Sequence, residues 1–266
     1  MSSPGTFIAA GAADVARAQT AWRIWWMLAR NDIARRYRRS SLGPFWLTLS
    51  MGVMVAGLGV VYTTIFRTSI GEYLPFLACS LVFWTFMSVT VIESCGAFSE
   101  SENIIRQIDI ANFSFVQRVV LRNLIILGHN IIIIPATMLV LAFAPGWTAP
   151  LFLVGVLLTI VNLTWLGYVL AITSTRFRDV PLIVQNVMQL GFFITPVMFQ
   201  PSQLGHSHPL LVFNPFAILL ELMRAPLLGS TPPLSSYFTA SIAAVVGWTF
   251  AVWLCGRFGK RVIYWL

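Results

Sequence analysis

The sequence predicts an all-α polytopic membrane protein: six transmembrane helices, an N-terminal cytoplasmic amphipathic interface helix, and short re-entrant helices in the last outer loop. Three observations lead there. Of 266 residues, 58% are hydrophobic and 10% charged, and the mean hydropathy is +0.80, which leaves too little polar surface to coat a soluble globule of this size. Six stretches contain no Asp, Glu, Lys or Arg: 45–66, 73–92, 124–143, 150–173, 181–199 and 237–255. Each is about 20 residues long, enough to cross a hydrocarbon core of roughly 30 Å as a helix. The third observation is charge placement. With the N-terminus inside, all of the 17 Lys and Arg except Arg67 and Arg224 fall on one side of the spans. The positive-inside rule then puts both termini in the cytoplasm. The net charge of +8 is thus a topology signal, not a nucleic-acid patch.

The elements follow in chain order. Met1 to Thr20 lacks the basic start, apolar run and small-residue cleavage site of a secretory signal, and this Ala- and Gly-rich lead (1–20) is expected to be loosely ordered. In the next unit, 21–44, Trp22, Trp26, Ala29, Ile33 and Tyr37 recur at helical spacing, while Arg23, Arg30, Arg35, Arg38 and Arg39 fall mostly elsewhere on the wheel. Tryptophan and arginine together suit the headgroup level and its membrane lipids, so a helix lying on the cytoplasmic leaflet is expected before Gly43 and Pro44 turn the chain into the first span. The six-span unit is 45–266.

Within it, the cytoplasmic loop 96–118 reads GAFSESENIIRQIDIANFSFVQR. Ser99 or Ser101 is placed to cap a short helix holding Glu102, Ile104, Ile105 and Ile108. Isoleucines exposed to cytosol need a cover. The loop is either a docking surface for a soluble protein or a helix folded back under the bundle. Glu93 and Arg122, at the same boundary, are placed to pair. His129 and Asn130 within the third span, and Gln185, Asn186 and Gln189 on the fifth, place polar groups at membrane depth. His129 serves either as a hydrogen-bonding partner of a neighbouring helix or as a proton relay, and the amides of the fifth span either as glue between helices or as pathway lining. In the outer loop 200–236, Asn214 is a suitable N-cap and Pro215 a suitable first helical residue. The helix they begin carries Glu221 and Arg224 on one face and is too short to cross. Cys79, Cys95 and Cys255 are widely separated and read as packing residues.

Some chemistry is missing. A phosphate-binding loop needs G-x-x-x-x-G-K-[ST], and Lys260, the only lysine, is followed by Arg261. ATP-driven work therefore requires another polypeptide. No H-E-x-x-H, no G-x-S-x-G and no metal-ligand set occurs, which leaves the chain without catalytic residues, metal or cofactor of its own.

RRYRRSSLGPFW (35–46), ENIIRQ (102–107), RNLIILGHN (122–130), RFRDV (176–180), TPVMF (195–199) and NPF with ELMRAPLLG (214–229) together resemble the membrane subunit of ABC type 2 polysaccharide exporters, closest to the O-antigen branch. The resemblance implies a permease in the bacterial inner membrane. It is expected to form a homodimer with two copies of a P-loop ATPase subunit, which carries the ATP and Mg, and to move an undecaprenyl-pyrophosphate-linked polysaccharide outward. It also implies roles. Glu100, Glu102, Ile104, Ile105 and Arg106 form a coupling helix seated in the ATPase. Arg35, Arg38 and Arg39 attract the lipid pyrophosphate, and Arg176, Arg178 and Asp179 form a family motif. Phe45, Trp46, Tyr62, Phe83, Trp84 and Phe86 line the channel, and Asn214, Pro215, Glu221 and Arg224 belong to an outer gate. One departure leaves the end of the coupling helix open: members often carry proline after IIRQ, and Ile108 to Asn112 has none. The competing readings are another cargo on the same fold (capsule, teichoic acid or a small hydrophobic compound), a lipid-glycan-modifying membrane enzyme relying on His129 or Glu93, and an ion-driven secondary transporter.

Overall fold

The structure, a computed structural model, describes residues 4–36, 38, 43, 45–201 and 209–266. Every regular element among them is helical. The chain opens with α1 (Pro4–Thr20) and α2 (Trp22–Arg36), then α3 (Phe45–Phe66) and α4 (Ile70–Ser94). The short α5 (Glu102–Ile105) precedes α6 (Phe113–Asn130), α7 (Ile133–Val140), α8 (Phe152–Arg176) and α9 (Val180–Ile194). After α10 (Pro209–Val212) come α11 (Pro215–Arg224), α12 (Leu234–Phe258) and α13 (Val262–Trp265).

Five segments are long and apolar enough to cross a membrane: Phe45–Ile65, Ile70–Ser94, Phe113–Val140, Ala149–Arg176 and Leu234–Trp265. The expected fifth span, 181–199, differs. Its helix α9 has 15 residues, or about 22 Å at 1.5 Å per residue, and falls short of the roughly 30 Å core. Pro196 ends it: a residue before proline is pushed out of the helical region, and Thr195 is extended at φ −81, ψ 141.

Proline also explains the break between α6 and α7. Pro135 has no N–H to give the Ile131 carbonyl and its ring crowds that oxygen. Ile134 N donates there instead, at 3.1 Å, in a tighter turn. Gly43, at φ 56, makes the left-handed bend expected before the first span.

The central helix is α4, buried from Tyr73 through Met87 except at half-buried Leu74 and Thr85. One core gathers α4 with α3, α6, α7, α8, α9 and α11; a second gathers α1, α6, α8 and α12 around Phe113, Phe115 and Tyr168. Facing outward are Val53, Val60, Ile65, Leu182, Leu190, Phe193, Val245 and Phe250, an apolar belt that suits lipid.

The lead expected to be loose is instead the docked helix α1. Gly11 lies against the Val252 carbonyl, and Gly256 against that of Phe7. Two missing side chains let α1 and α12 meet backbone to backbone. Ala18 is fully buried, and its carbonyl accepts from Trp25 Nε1 at 3.0 Å, fixing the turn into α2.

Candidate functional site

The ends of α4, α6, α8 and α12 converge with α1 and α2 at one end of the bundle, where the arginines are concentrated. On α6, Arg118 and Arg122 are one helical turn apart and so share a face. Arg118 Nε and Nη2 each donate to Asp32 of α2 at 2.6 Å, and Arg122 Nη1 reaches the same carboxylate at 3.1 Å. Arg122 Nη2 donates to Glu93 of α4 at 2.9 Å, Asn123 Nδ2 at 2.7 Å and Arg36 Nη2 at 3.2 Å. The expected Glu93–Arg122 pair is therefore present, inside a larger network binding α2, α4 and α6. Sequence reasoning missed Asp32. The signal was available: it is the only acidic residue between Thr20 and Ser41.

α2 also turns differently from its expected wheel. Ala29 and Asp32 face the bundle, while Trp22 and Trp26 are exposed beside Arg23, Arg30 and Arg35. A helix with tryptophan and arginine on one outer side suits a lipid headgroup layer. Arg35 and Arg38 are exposed, with Arg35 held only loosely to Asp32 at 3.6 Å. Arg39, Tyr37 and Pro44 lie outside the described residues.

Below this network runs the loop that joins the second and third spans. A 3-10 turn, Ser99–Ser101, leads into α5. Ser101 stands at the N-cap of α5, but its hydroxyl makes no capping bond; it is buried and accepts from Arg118 Nη1 at 3.0 Å. Glu102 and Arg106 pair across one turn at 2.8 Å, and both remain open to solvent, as does Glu100. The isoleucines divide. Ile104 and Ile105 are half-buried on the second core, so they anchor the loop, and Ile108 is the exposed one. The loop is thus folded back at its isoleucines and presents a charged outer face.

Two contacts close its far end. Asp14 of α1 accepts from the Asn112 and Phe113 amides, both at 3.1 Å, capping α6 from a different helix. Burial outweighs those bonds and holds the Asp14 carboxyl above its usual 3.8. Arg17 and Asp109 make an exposed pair at 3.0 Å. Arg176 stacks over Phe177 and Trp265, and Arg178 and Asp179 are exposed in the turn before α9.

Other expected residues lie elsewhere. Phe45 and Trp46 are exposed on α3, and Tyr62 is half-buried. Phe83, Trp84 and Phe86 are buried within the chain, Trp84 against Phe192 and Phe216, so in this structure these three pack the core. They sit on the most enclosed helix, and aromatic character alone does not distinguish lining from packing. Gln185, Asn186 and Gln189 are exposed on α9, and Asn130 is buried. His129 bonds the Ile125 carbonyl of its own helix at 2.8 Å. Glu93 is held by three donors, from Arg36, Arg122 and Asn123.

At the opposite end, Asn214 caps α11: its Oδ1 accepts from the Phe216 and Ala217 amides at 3.0 and 3.3 Å, and Pro215 is the first helical residue. The other half of the amide donates to Thr195 at 2.8 Å. α11 does not lie over the outer surface. Arg224, buried, donates to Ser80 Oγ at 2.8 Å and to the Pro196 carbonyl at 2.6 Å, with Phe76 4.3 Å away. Ser80 is about 15 Å along α4 from its start, so α11 reaches into the bundle. Glu221 and Arg224 border a cavity of about 530 Å³ together with Ser236 and Thr239.

Residues 23–228 match the ABC-2 type transporter family. The chain is 28% identical over 205 residues to the O-antigen export system permease protein RfbA of Myxococcus xanthus, an overlap covering 74% of this chain and 77% of that one. The matched region holds the ion network, the loop with α5, and α11, and the apolar helices give the chain its place in a membrane. It is a transmembrane transporter subunit, and its family implies an ATPase partner. By the extent of that match, the chain belongs to the ABC-2 type transporter family.

Proposed function

We propose that the chain is the permease of an ATP-driven exporter that carries undecaprenyl-pyrophosphate-linked polysaccharide of the O-antigen type out across the bacterial inner membrane. Two copies form the channel and bind two ATPase subunits. The observation that carries this reading is α5: a charged helix on a loop rooted in a buried ion network, at the end of the bundle where the arginines gather. A partner that closes on nucleotide has a lever there. The O-antigen export of the Myxococcus xanthus relative supports O-antigen as the class of polymer.

In this account the arginine-rich end is cytoplasmic, both termini lie on that side, and α9 with the extended segment after it completes a sixth crossing. Exposed Arg35 and Arg38, together with Arg39, attract the pyrophosphate as charge-assisted, bidentate donors. The Arg176–Asp179 turn stands at the same surface. Phe45, Trp46 and Tyr62 on α3 remain candidates for stacking on sugar rings. α11, capped by Asn214, acts as the outer gate, and the ATP and Mg stay on the partner.

Exchanging the charges of α5 tests the coupling role. Combining Glu102→Arg with Arg106→Glu keeps an attractive pair on the helix and reverses the face offered to the partner. Export is expected to fall while the chain reaches the membrane at its usual level. Undiminished export would remove α5 from the coupling role.

A further inference from the structure

We infer that Arg118 is the joint through which movement of the loop at Ser101 is passed to α2. The mechanical role rests on the docking proposed above, whereas the joint is a property of this chain alone.

One guanidinium holds three elements. It springs from α6, spends Nε and Nη2 on Asp32 of α2 at 2.6 Å each, and gives Nη1 to Ser101 of the loop at 3.0 Å. The group is planar and its donors are fixed relative to one another. Loop and α2 cannot shift independently without breaking one of the three bonds. Water is a poor substitute here, because the side chains of Arg118 and Asp32 are 10% and 9% exposed and Ser101 is 2% exposed. Asp32 is further braced by Arg122 at 3.1 Å, with Arg35 at 3.6 Å on its outer side. Arg122 and Arg36 both continue to Glu93 at the end of α4. The far end of the loop is held to α1, through the Asn112 and Phe113 amides that donate to Asp14 at 3.1 Å and through one ion pair. Its pair, Arg17–Asp109, is 55% and 89% exposed, in the class of surface pairs that solvent screens. A push on α5 is carried at its Ser101 end by Arg118 into α6 and α2.

The test uses Ser101→Ala, which removes only the loop arm; Ser101→Thr, which keeps the hydroxyl; and Arg118→Lys, which keeps the charge but replaces the planar three-nitrogen fork by a single compact ammonium. The first readout is amide hydrogen exchange over residues 102–106 in the chain alone, reconstituted in nanodiscs. Exchange is expected to quicken by about tenfold in Ser101→Ala and Arg118→Lys, as a buried hydrogen bond is lost. It is expected to stay near wild type in Ser101→Thr and in Asp109→Asn, which breaks only the exposed pair. The second readout is polysaccharide exported per ATP hydrolysed by the complex with its ATPase. This ratio is expected to drop in Ser101→Ala and Arg118→Lys and to recover in Ser101→Thr. Unchanged exchange in Ser101→Ala and Arg118→Lys overturns the joint, as does a wild-type ratio in both or identical behaviour of Ser101→Ala and Ser101→Thr. A wild-type complex without ATP-dependent export overturns the functional reading instead, and the exchange measurement still decides the joint.

Discussion

Asp32 sits where two buried arginines need a counter-charge, and removing one partner of such a network costs more than the pair contributes, because the remaining charge stays buried. Asp32→Asn is expected to destabilise the protein by about 3 kcal/mol, read as a fall in the Tm of the detergent-solubilised chain. Glu93→Gln is expected to cost less, since Glu93 is the more exposed carboxylate. An equal or larger loss for Glu93→Gln would displace Asp32 from the centre of the network. Asp14 offers a second case. Asp14→Ala removes the cap of α6 and is expected to cost about 1 kcal/mol, with faster amide exchange at Asn112 and Phe113. Asp14→Asn is expected to be milder, because it keeps an acceptor and discards a charge that burial already penalises. At this scale the sequence was legible where two charges met one predicted boundary, as with Glu93 and Arg122. Asp32 was not legible in the same way, because its partners lie 86 and 90 residues away on another element.

Helices whose apolar or capping pattern is self-contained could be read directly. α3, α4 and α8 are continuous apolar runs, and α11 begins at the Asn-Pro pair that local chemistry favours. Asn214→Ala is expected to cost about 1 kcal/mol and to loosen α11 specifically, seen as faster exchange at Phe216 and Ala217. Normal protection there would dismiss the cap. Elements defined by another element were hidden. α1 looks weak by composition, and its order comes from two glycines far apart in the chain, Gly11 and Gly256, which admit the backbone of the other helix at Val252 and Phe7. Gly256→Leu is expected to lift α1 from α12, making 4–20 sensitive to protease while the rest of the chain stays resistant. An equally protected α1 would contradict the packing account. α9 shows the converse: a charge-free stretch does not by itself set the length of a helix, because Pro196 halts it after 15 residues.

For the whole molecule, charge-free stretches and the one-sided arginines were enough to read a helical membrane bundle, since both follow from the cost of moving charge through hydrocarbon. Which aromatic faces a lumen was not readable, because burial in a bundle depends on how helices are arranged about α4 and not on any local pattern. The central claim is that this chain is one half of an ATP-driven machine whose other half binds at α5. The measurement that tests it most directly is a mild-detergent purification of the tagged chain from its native membrane, with co-purifying proteins quantified by mass spectrometry. The account predicts a P-loop ATPase at about one copy per copy of this chain, lost when the charges of Glu102 and Arg106 are exchanged. A homogeneous, folded preparation that carries no ATPase would contradict it.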